Sequence, residues 1–335
     1  MENQEPRHWR RWVVLALMIV GFILTGIFVP VSPTITVAPE TLFVITLPWG
    51  GTLPFVNTLT TLIVTLILLL VLAFFTNRSM KRSLKTDLVP RGVGNVMEAI
   101  LELLYNLAEG TAGPKWAPVI FRWFATIMVY VVFANLLRLI PGFETIGFFE
   151  HAEGEGHAIA ALAGNWSQIL PADGQYTLIP FFRGMSIDLN MTIALAVISV
   201  LMTQVIGFRA QRWSYFSKFF NVRTMFKVPF FGAMDFLVGL LELISELAKL
   251  LSFSFRLFGV MFAGSVLAAV VATLMGRISI LPSMIMLFEL FMGLIQAFVF
   301  GMLTMVFMAQ ATAGHGPDEE HEKELLEEEA EVHPL

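Results

Sequence analysis

The chain has 335 residues, of which 56% are hydrophobic and 14% are charged, and its mean hydropathy is +0.75. So little polar surface excludes an ordinary water-soluble domain and indicates a protein embedded in a lipid bilayer. The formal net charge of −5 arises in residues 318–331, where nine acids accompany one lysine, so the rest of the chain is mildly basic. Cysteine is absent, which excludes disulfides and thiolate metal sites. We also find neither a phosphate-binding glycine loop nor a nucleophile motif, so we expect no catalytic activity.

Six segments are long and apolar enough to cross about 30 Å of hydrocarbon, which takes roughly 20 helical residues. The first follows a basic N-terminus (residues 1–11), but it is longer than a signal sequence and lacks a cleavage pattern, so it is predicted to be retained. We therefore predict an all-α integral membrane protein with six spans, at residues 12–30, 56–76, 116–141, 189–208, 232–275 and 282–310.

Between the second and third spans, residues 93–110 show the pattern of an amphipathic helix. Three acids, Glu98, Glu102 and Glu109, point away from an apolar face. That face is made of Val96, Ile100, Leu103, Leu104 and Leu107. We predict a surface helix resting on the membrane, with a partner-specific docking helix as the alternative.

Lysine and arginine alternate between the connecting segments in a way that predicts orientation. The basic segments are residues 1–11, 77–91 and 209–228. By contrast, residues 31–55 contain no Lys or Arg, and residues 142–187 contain only Arg183. The pattern predicts that both termini, including the acidic tail at residues 311–335, are cytoplasmic and that residues 142–187 form an extracytoplasmic loop.

The fifth span is too long for a bilayer. Residues 232–275 contain no proline, and as one helix they extend about 64 Å, roughly twice the hydrocarbon thickness. Usual tilts reach only about 40°. We therefore predict that residues 229–310 form a strongly tilted helical hairpin whose geometry is imposed by a partner surface.

Charged residues inside this hairpin are expensive to bury and therefore indicate function. At 100° per residue, Glu242, Lys249 and Arg256 lie within about 40° of one another. Glu289 and Gln296 share a face of the last helix. A turn near residue 278 brings Glu289 close to Ser265. We therefore predict a line of polar residues across the membrane, with acids on both sides of Arg256.

Two of these charges also have a purely structural interpretation. Glu246 and Lys249 are spaced for an internal ion pair, and that alternative stays open. Arg256 has no acid three or four residues away, so its counter-ion must come from another helix or another chain.

Five sequence stretches resemble the subunit a family of F-type ATP synthases, in order, over roughly residues 56–310. The arginine motif is SFRLFGVMFAG at residues 254–264, and the last helix contains FELF at 288–291 and IQAFVF at 295–300. Weaker similarities are NLLRLIP at 135–141 and DLNMT at 188–192.

The resemblance implies a rotary machine in which this chain lies against a ring of c subunits, each carrying one carboxylate. Arg256 would hold that carboxylate ionised and block direct leakage between two half-channels. Ion-translocation roles are implied for Glu289, Gln296, Glu242 and Ser265. Accessory polar positions are Glu246, Lys249 and Asn190.

The same resemblance implies partners and a location. The partners are the c-ring, the peripheral-stalk b subunits and the remainder of the ATP synthase, in a bacterial plasma membrane. The transported ion is a proton, with sodium as the alternative. No cofactor, metal or nucleic acid is expected, and ATP chemistry belongs to other subunits.

The chain departs from the family pattern at three positions. Val260 replaces a frequent Asn, Ser265 replaces a frequent acid or His, and Arg138 stands where Gly or Asp is more common. The sequence assigns Arg138 no role. Two other classes remain as alternatives: a self-contained secondary transporter or channel, for which no repeat or broken helix is visible, and a membrane scaffold, which has no reason to bury Arg256.

Overall fold

The computed structural model describes residues 12, 38–46, 48, 50–83, 92–140, 143–163, 166–212, 215, 229–275 and 281–313. The predicted first span at residues 12–30 lies outside the described residues apart from Trp12. So do the N-terminus, most of the basic loop at 209–228 and nearly all of the acidic tail. Predictions for these segments stay predictions.

Five long helices account for the other predicted spans. They are α1 (Asn57–Ser83), α2 (Val93–Arg138), α3 (Leu189–Gln211), α4 (Pro229–Met275) and α5 (Leu281–Thr312). Each is long and apolar enough to cross a membrane. Helix α4 has 47 residues, which is about 70 Å at 1.5 Å per residue. Its tilt relative to a bilayer stays a prediction.

Helix α2 consists of two helical segments that meet at Gly113, whose backbone angles are φ 71° and ψ 166°. A positive φ suits glycine, and the following Pro114 disfavours the helical conformation at the residue before it. The first segment contains the predicted amphipathic helix. Its apolar face is divided, because Leu104 is buried in the bundle whereas Val96 and Leu103 are 59% and 61% exposed. The membrane-surface position of this segment stays a prediction.

Buried polar side chains and exposed apolar ones occur together in this bundle, an arrangement expected in lipid, although its core also contains apolar residues such as Phe124 and Phe300. Helix α1 illustrates it, because Leu70 is 70% exposed while every buried residue of the helix is polar. These buried residues are Asn57, Thr58, Thr61, Thr65, Thr76 and Ser83. Thr58 Oγ1 donates to Asp188 Oδ2 at 2.8 Å, so the buried hydroxyl is satisfied.

Two antiparallel β-hairpins occur in the connections between helices, whereas the segments long and apolar enough to cross a membrane are helical, as predicted. Strands β1 (Thr41–Thr46) and β2 (Thr52–Val56) precede α1, and β3 (Gly147–Ala163) pairs with β4 (Trp166–Pro180) between α2 and α3. Strand pairing satisfies backbone groups that a loop leaves to solvent.

The helix ends divide the bundle into a hairpin end and a basic end. The hairpin end holds both β-hairpins, the C-terminus of α2 and the N-terminus of α3. The basic end holds the last turns of α1 and α3 with Lys81, Arg82 and Arg209, and there Gln211 Nε2 donates to the carbonyl oxygen of Ala311 at 3.2 Å. Helix α5 packs against α2, α3 and α4, so its side chains form the centre of the bundle.

Candidate functional site

The contact between α4 and α5 aligns the predicted polar residues. The rings of Phe253 and Phe300 have centroids 5.2 Å apart. Eleven residues further along α4, a Cβ placed on Gly264 would be 3.2 Å from Glu289 Oε1. Glu289 therefore lies beside the residue that precedes Ser265, in agreement with the register expected from a turn near residue 278.

Arg256 lies on the outer surface of α4, although the helix around it is apolar. Its Nη2 donates to Ser252 Oγ at 3.3 Å, and the side chain is exposed. Within the described residues it forms no ion pair. The exposed positions around it include small residues one and two turns away on either side, namely Ala248, Ser252, Gly259 and Ala263. Small side chains permit close approach of another helix.

Two cavities open along α4 on opposite sides of Arg256. The first, the Glu289 cavity, has a volume of about 260 Å³ and is lined by Arg138, Val260, Met261, Ala263, Gly264, Leu267, Phe288, Glu289 and Met292. The second, the Arg256 cavity, has a volume of about 250 Å³ and lies toward the basic end. It is lined by Ser245, Ala248, Lys249, Ser252, Phe253, Arg256, Leu303 and Phe307. One helical turn of α4, from Arg256 to Val260, separates them.

Glu289 is buried and faces a cation that the sequence analysis did not use. Arg138 Nη2 lies 3.4 Å from Glu289 Oε1, and Arg138 Nε lies 3.6 Å from Glu144 Oε1. The side chains of Arg138 and Glu289 are each 8% exposed. One signal in the sequence pointed to this pair: Arg138 departs from the family pattern, and it lies near the end of its span on the side of the membrane predicted for Glu289.

Neighbouring polar contacts hold the end of α2 against α5. Asn135 Nδ2 donates to the carbonyl oxygen of Gly293 at 3.0 Å, and Ser186 Oγ donates to Asn135 Oδ1. The backbone N–H of Gly184 donates to Glu144 Oε1 at 2.9 Å. A Cβ on Gly184 would lie 2.5 Å from Arg138 Cδ, so a larger residue at position 184 would force the arginine side chain to move.

The remaining predicted residues differ in how they relate to the two cavities. Gln296 is buried, and its Nε2 has no hydrogen-bond partner in the described part of the chain. Ser265 is half-buried and donates to the carbonyl oxygen of Phe262 at 2.7 Å. Asn190 is exposed at the start of α3, where its backbone N–H donates to Asp188 Oδ1, and neither cavity includes it.

Glu246 and Lys249 form the internal ion pair that the sequence left as an alternative. Lys249 Nζ lies 2.8 Å from Glu246 Oε1 and 4.9 Å from the ring centroid of Phe307. Lys249 also lines the Arg256 cavity. Its charge is thus largely balanced by Glu246, whereas Arg256 has no such partner among the described residues.

The acids of α4 approach the segment that follows α3. Tyr215 Oη donates to Gln204 Oε1 at 2.7 Å. Burial, reinforced by the carboxylates of Glu246 and then Glu242, raises the pKa of Tyr215 to about 12. Glu242 itself is half-buried. The part of α4 that lies at the basic end of the bundle therefore carries acidic side chains, although the connecting segments at that end are rich in lysine and arginine.

Comparison with known proteins identifies the family. A family model described as the ATP synthase A chain matches residues 58–309. A protein named ATP synthase subunit a from Campylobacter jejuni subsp. doylei is 30% identical over 242 residues, which cover 70% of this chain and 83% of that protein. Proteins of the same name from Moorella thermoacetica and Helicobacter pylori are each 27% identical over 234 residues, covering 69% and 70% of this chain and 82% of each relative. The match extends over most of the chain, including all five apolar helices in whole or in part, so the chain belongs to the ATP synthase A chain family of integral membrane proteins.

Proposed function

We propose that this chain is the ion-translocating subunit a of a rotary F-type ATP synthase and that Arg256 divides two offset half-channels. The observation that carries the proposal is the pair of cavities on opposite sides of Arg256 along α4. An ion entering one cavity cannot pass Arg256 directly, because an exposed guanidinium repels it. The ion must instead leave on a moving carrier and return through the other cavity.

The carrier is a ring of c subunits that presents one carboxylate at a time to Arg256. Arg256 attracts the carboxylate and favours its ionised form, and the low dielectric of the membrane strengthens this attraction. Small exposed residues flank the arginine on α4, which lets a ring helix approach closely. The length of α4 suits a helix that follows the curved flank of such a ring.

The two cavities have different roles in this proposal. The Glu289 cavity opens to the extracytoplasmic side with Gln296 and Ser265 near it, and the Arg256 cavity opens toward the cytoplasm with Glu242. This assignment follows the predicted orientation, in which both termini and the basic end are cytoplasmic. The chain transports ions and hydrolyses no ATP. Its partners are the c-ring, the b subunits and the catalytic head.

The experiment measures ATP-driven proton pumping in inverted vesicles that contain the assembled complex. We expect Arg256→Ala to abolish pumping while the complex still assembles. Arg256→Lys should rescue poorly, because an ammonium lacks the planar guanidinium fork. The matched control is Arg122→Ala, since Arg122 is also exposed on an apolar helix but donates to the carbonyl oxygen of Pro118 in its own helix. Full pumping by Arg256→Ala would overturn the proposal, and Arg256 would then be a structural cation.

A further inference from the structure

Arg138 is a cation that lines the Glu289 cavity, and its position gives it a role beyond packing. We propose that Arg138 is a positioning residue that keeps Glu289 ionised between transfers and so sets how readily the extracytoplasmic half-channel takes up and releases a proton. The inference rests on the proposed function, because it assigns a regulator to the Glu289 half of the path.

Few charged groups surround Glu289 in the described part of the chain. No other residue of α5 is charged, and the α4 residues that line the Glu289 cavity carry no charge. The charged groups that face Glu289 are Arg138 from α2 and Glu144 from the segment that follows α2. Removing one partner of a buried pair leaves the other charge uncompensated. Among the charged groups in the described part of the chain, Arg138 therefore favours the ionised form of Glu289, and Glu144 opposes it.

The contact between Arg138 and Glu289 is loose. Charge-assisted N–H···O bonds are usually about 2.7–2.9 Å long, whereas Arg138 Nη2 is 3.4 Å from Glu289 Oε1. Arg138 Nε and Nη1 are buried and have no hydrogen-bond partner within the described residues. A tight bidentate pair holds both carboxylate oxygens, but this contact involves only Oε1. Glu289 therefore keeps the freedom to bind a proton.

The Glu289 cavity connects Glu289 with the outer face of α4. The Glu289 cavity borders both charged side chains and has a volume of about 260 Å³, which is room for about eight water molecules at ~30 Å³ each. Its lining includes Ala263 and Leu267, which are exposed on the outer face of α4. Gly264, beside Glu289, lies eight residues from Arg256, or about 12 Å along the helix. A proton on Glu289 thus has a short route to the surface where the ring carboxylate passes.

Arg138 therefore acts on the protonation of Glu289. A nearby guanidinium favours the ionised carboxylate, so Arg138 promotes proton release from Glu289 and returns it to the state that accepts the next proton. With a neutral residue at position 138, Glu289 stays protonated up to a higher pH. It is then less often free to accept the next proton. The change appears in the pH dependence of transport, which a purely structural defect does not displace.

The test measures ATP synthesis by vesicles containing the full complex, with the pH varied on the hairpin-end side. We expect Arg138→Gln to move the pH of half-maximal rate upward by about one unit or more, and Arg138→Lys to move it by less than half as much. Arg122→Gln is the matched control and should leave the midpoint unchanged. A uniform loss of rate with an unchanged midpoint in Arg138→Gln overturns the inference.

A second variant keeps the test decisive if Arg138→Gln does not assemble. Glu144→Gln removes the carboxylate that competes for Arg138, and the Glu144 side chain is 38% exposed, so assembly should tolerate it. We expect the midpoint to move downward, opposite to Arg138→Gln, and an unchanged midpoint overturns the inference. If Arg256→Ala blocks pumping but these midpoints stay fixed, only the role of Arg138 fails. If Arg256→Ala pumps normally, the proposed function fails first.

Discussion

A side chain added at Gly264 should obstruct the extracytoplasmic half-channel in proportion to its size. The Cβ of Gly264→Ala would lie 3.2 Å from Glu289 Oε1, 3.5 Å from Cγ and 3.7 Å from Cδ. The glutamate must then move by a few tenths of an ångström. Larger side chains at the same position extend into the Glu289 cavity, where they occupy the space that we assign to the translocated ion.

The size of the effect follows from the distance between the charges. If Glu289 moves about 0.4 Å further from Arg138, their attraction weakens by about 0.5 kcal/mol at an effective dielectric constant of about 20. This corresponds to roughly a twofold change in rate. Gly264→Leu displaces the ion path itself, and misplacement by about 1 Å can reduce a rate by about 100-fold. We therefore expect about a twofold loss of pumping for alanine and at least about a tenfold loss for leucine.

The assay is ATP-driven pumping in inverted vesicles, normalised to the amount of assembled complex recovered by co-purification. Gly110→Ala is the matched control, because its added Cβ meets no atom within 4 Å and it gains the same helix propensity, about 1 kcal/mol. Wild-type pumping by assembled Gly264→Leu complexes would refute the assignment of this cavity to the ion path.

Two further predictions concern the basic end. Lys249→Met leaves the buried Glu246 unpaired and should lower the free energy of unfolding by about 1–3 kcal/mol. The double variant with Glu246→Gln should recover most of that loss in thermal unfolding, and equal stability of the single and double variants would contradict the pairing. Tyr215 has its pKa raised to about 12, so the folded chain retains this proton at a pH where an unfolded tyrosine, with a pKa near 10, loses it. The associated stability is present below about pH 10 and is lost as the pH rises to about 12. The difference in phenolate absorbance between wild type and Tyr215→Phe measures this titration directly.

The sequence determined the parts of this protein that depend on local physics. Spans such as those containing α3 and α5 could be predicted because the length of an apolar helix must match the bilayer. The sequence also predicted that Glu289 lies close to Ser265, within about one helical turn of its position beside Gly264, because a short turn limits how far the two helices can shift. The β-hairpins were missed because their strands lie in segments that carry no transmembrane pattern, and pairing across a turn decides their structure.

Tertiary structure decided which charges are partners. Arg138 and Glu289 are 151 residues apart, and no helical period relates them, so only the packing of α2 against α5 brings them within 3.4 Å. Gly184 is a similar case. A side chain at this position would collide with Arg138, which is distant in sequence, so the residues next to Gly184 do not reveal why glycine stands there. A buried ion pair between helices is a property of their contact, whereas the hydrophobic length of each helix belongs to that helix alone.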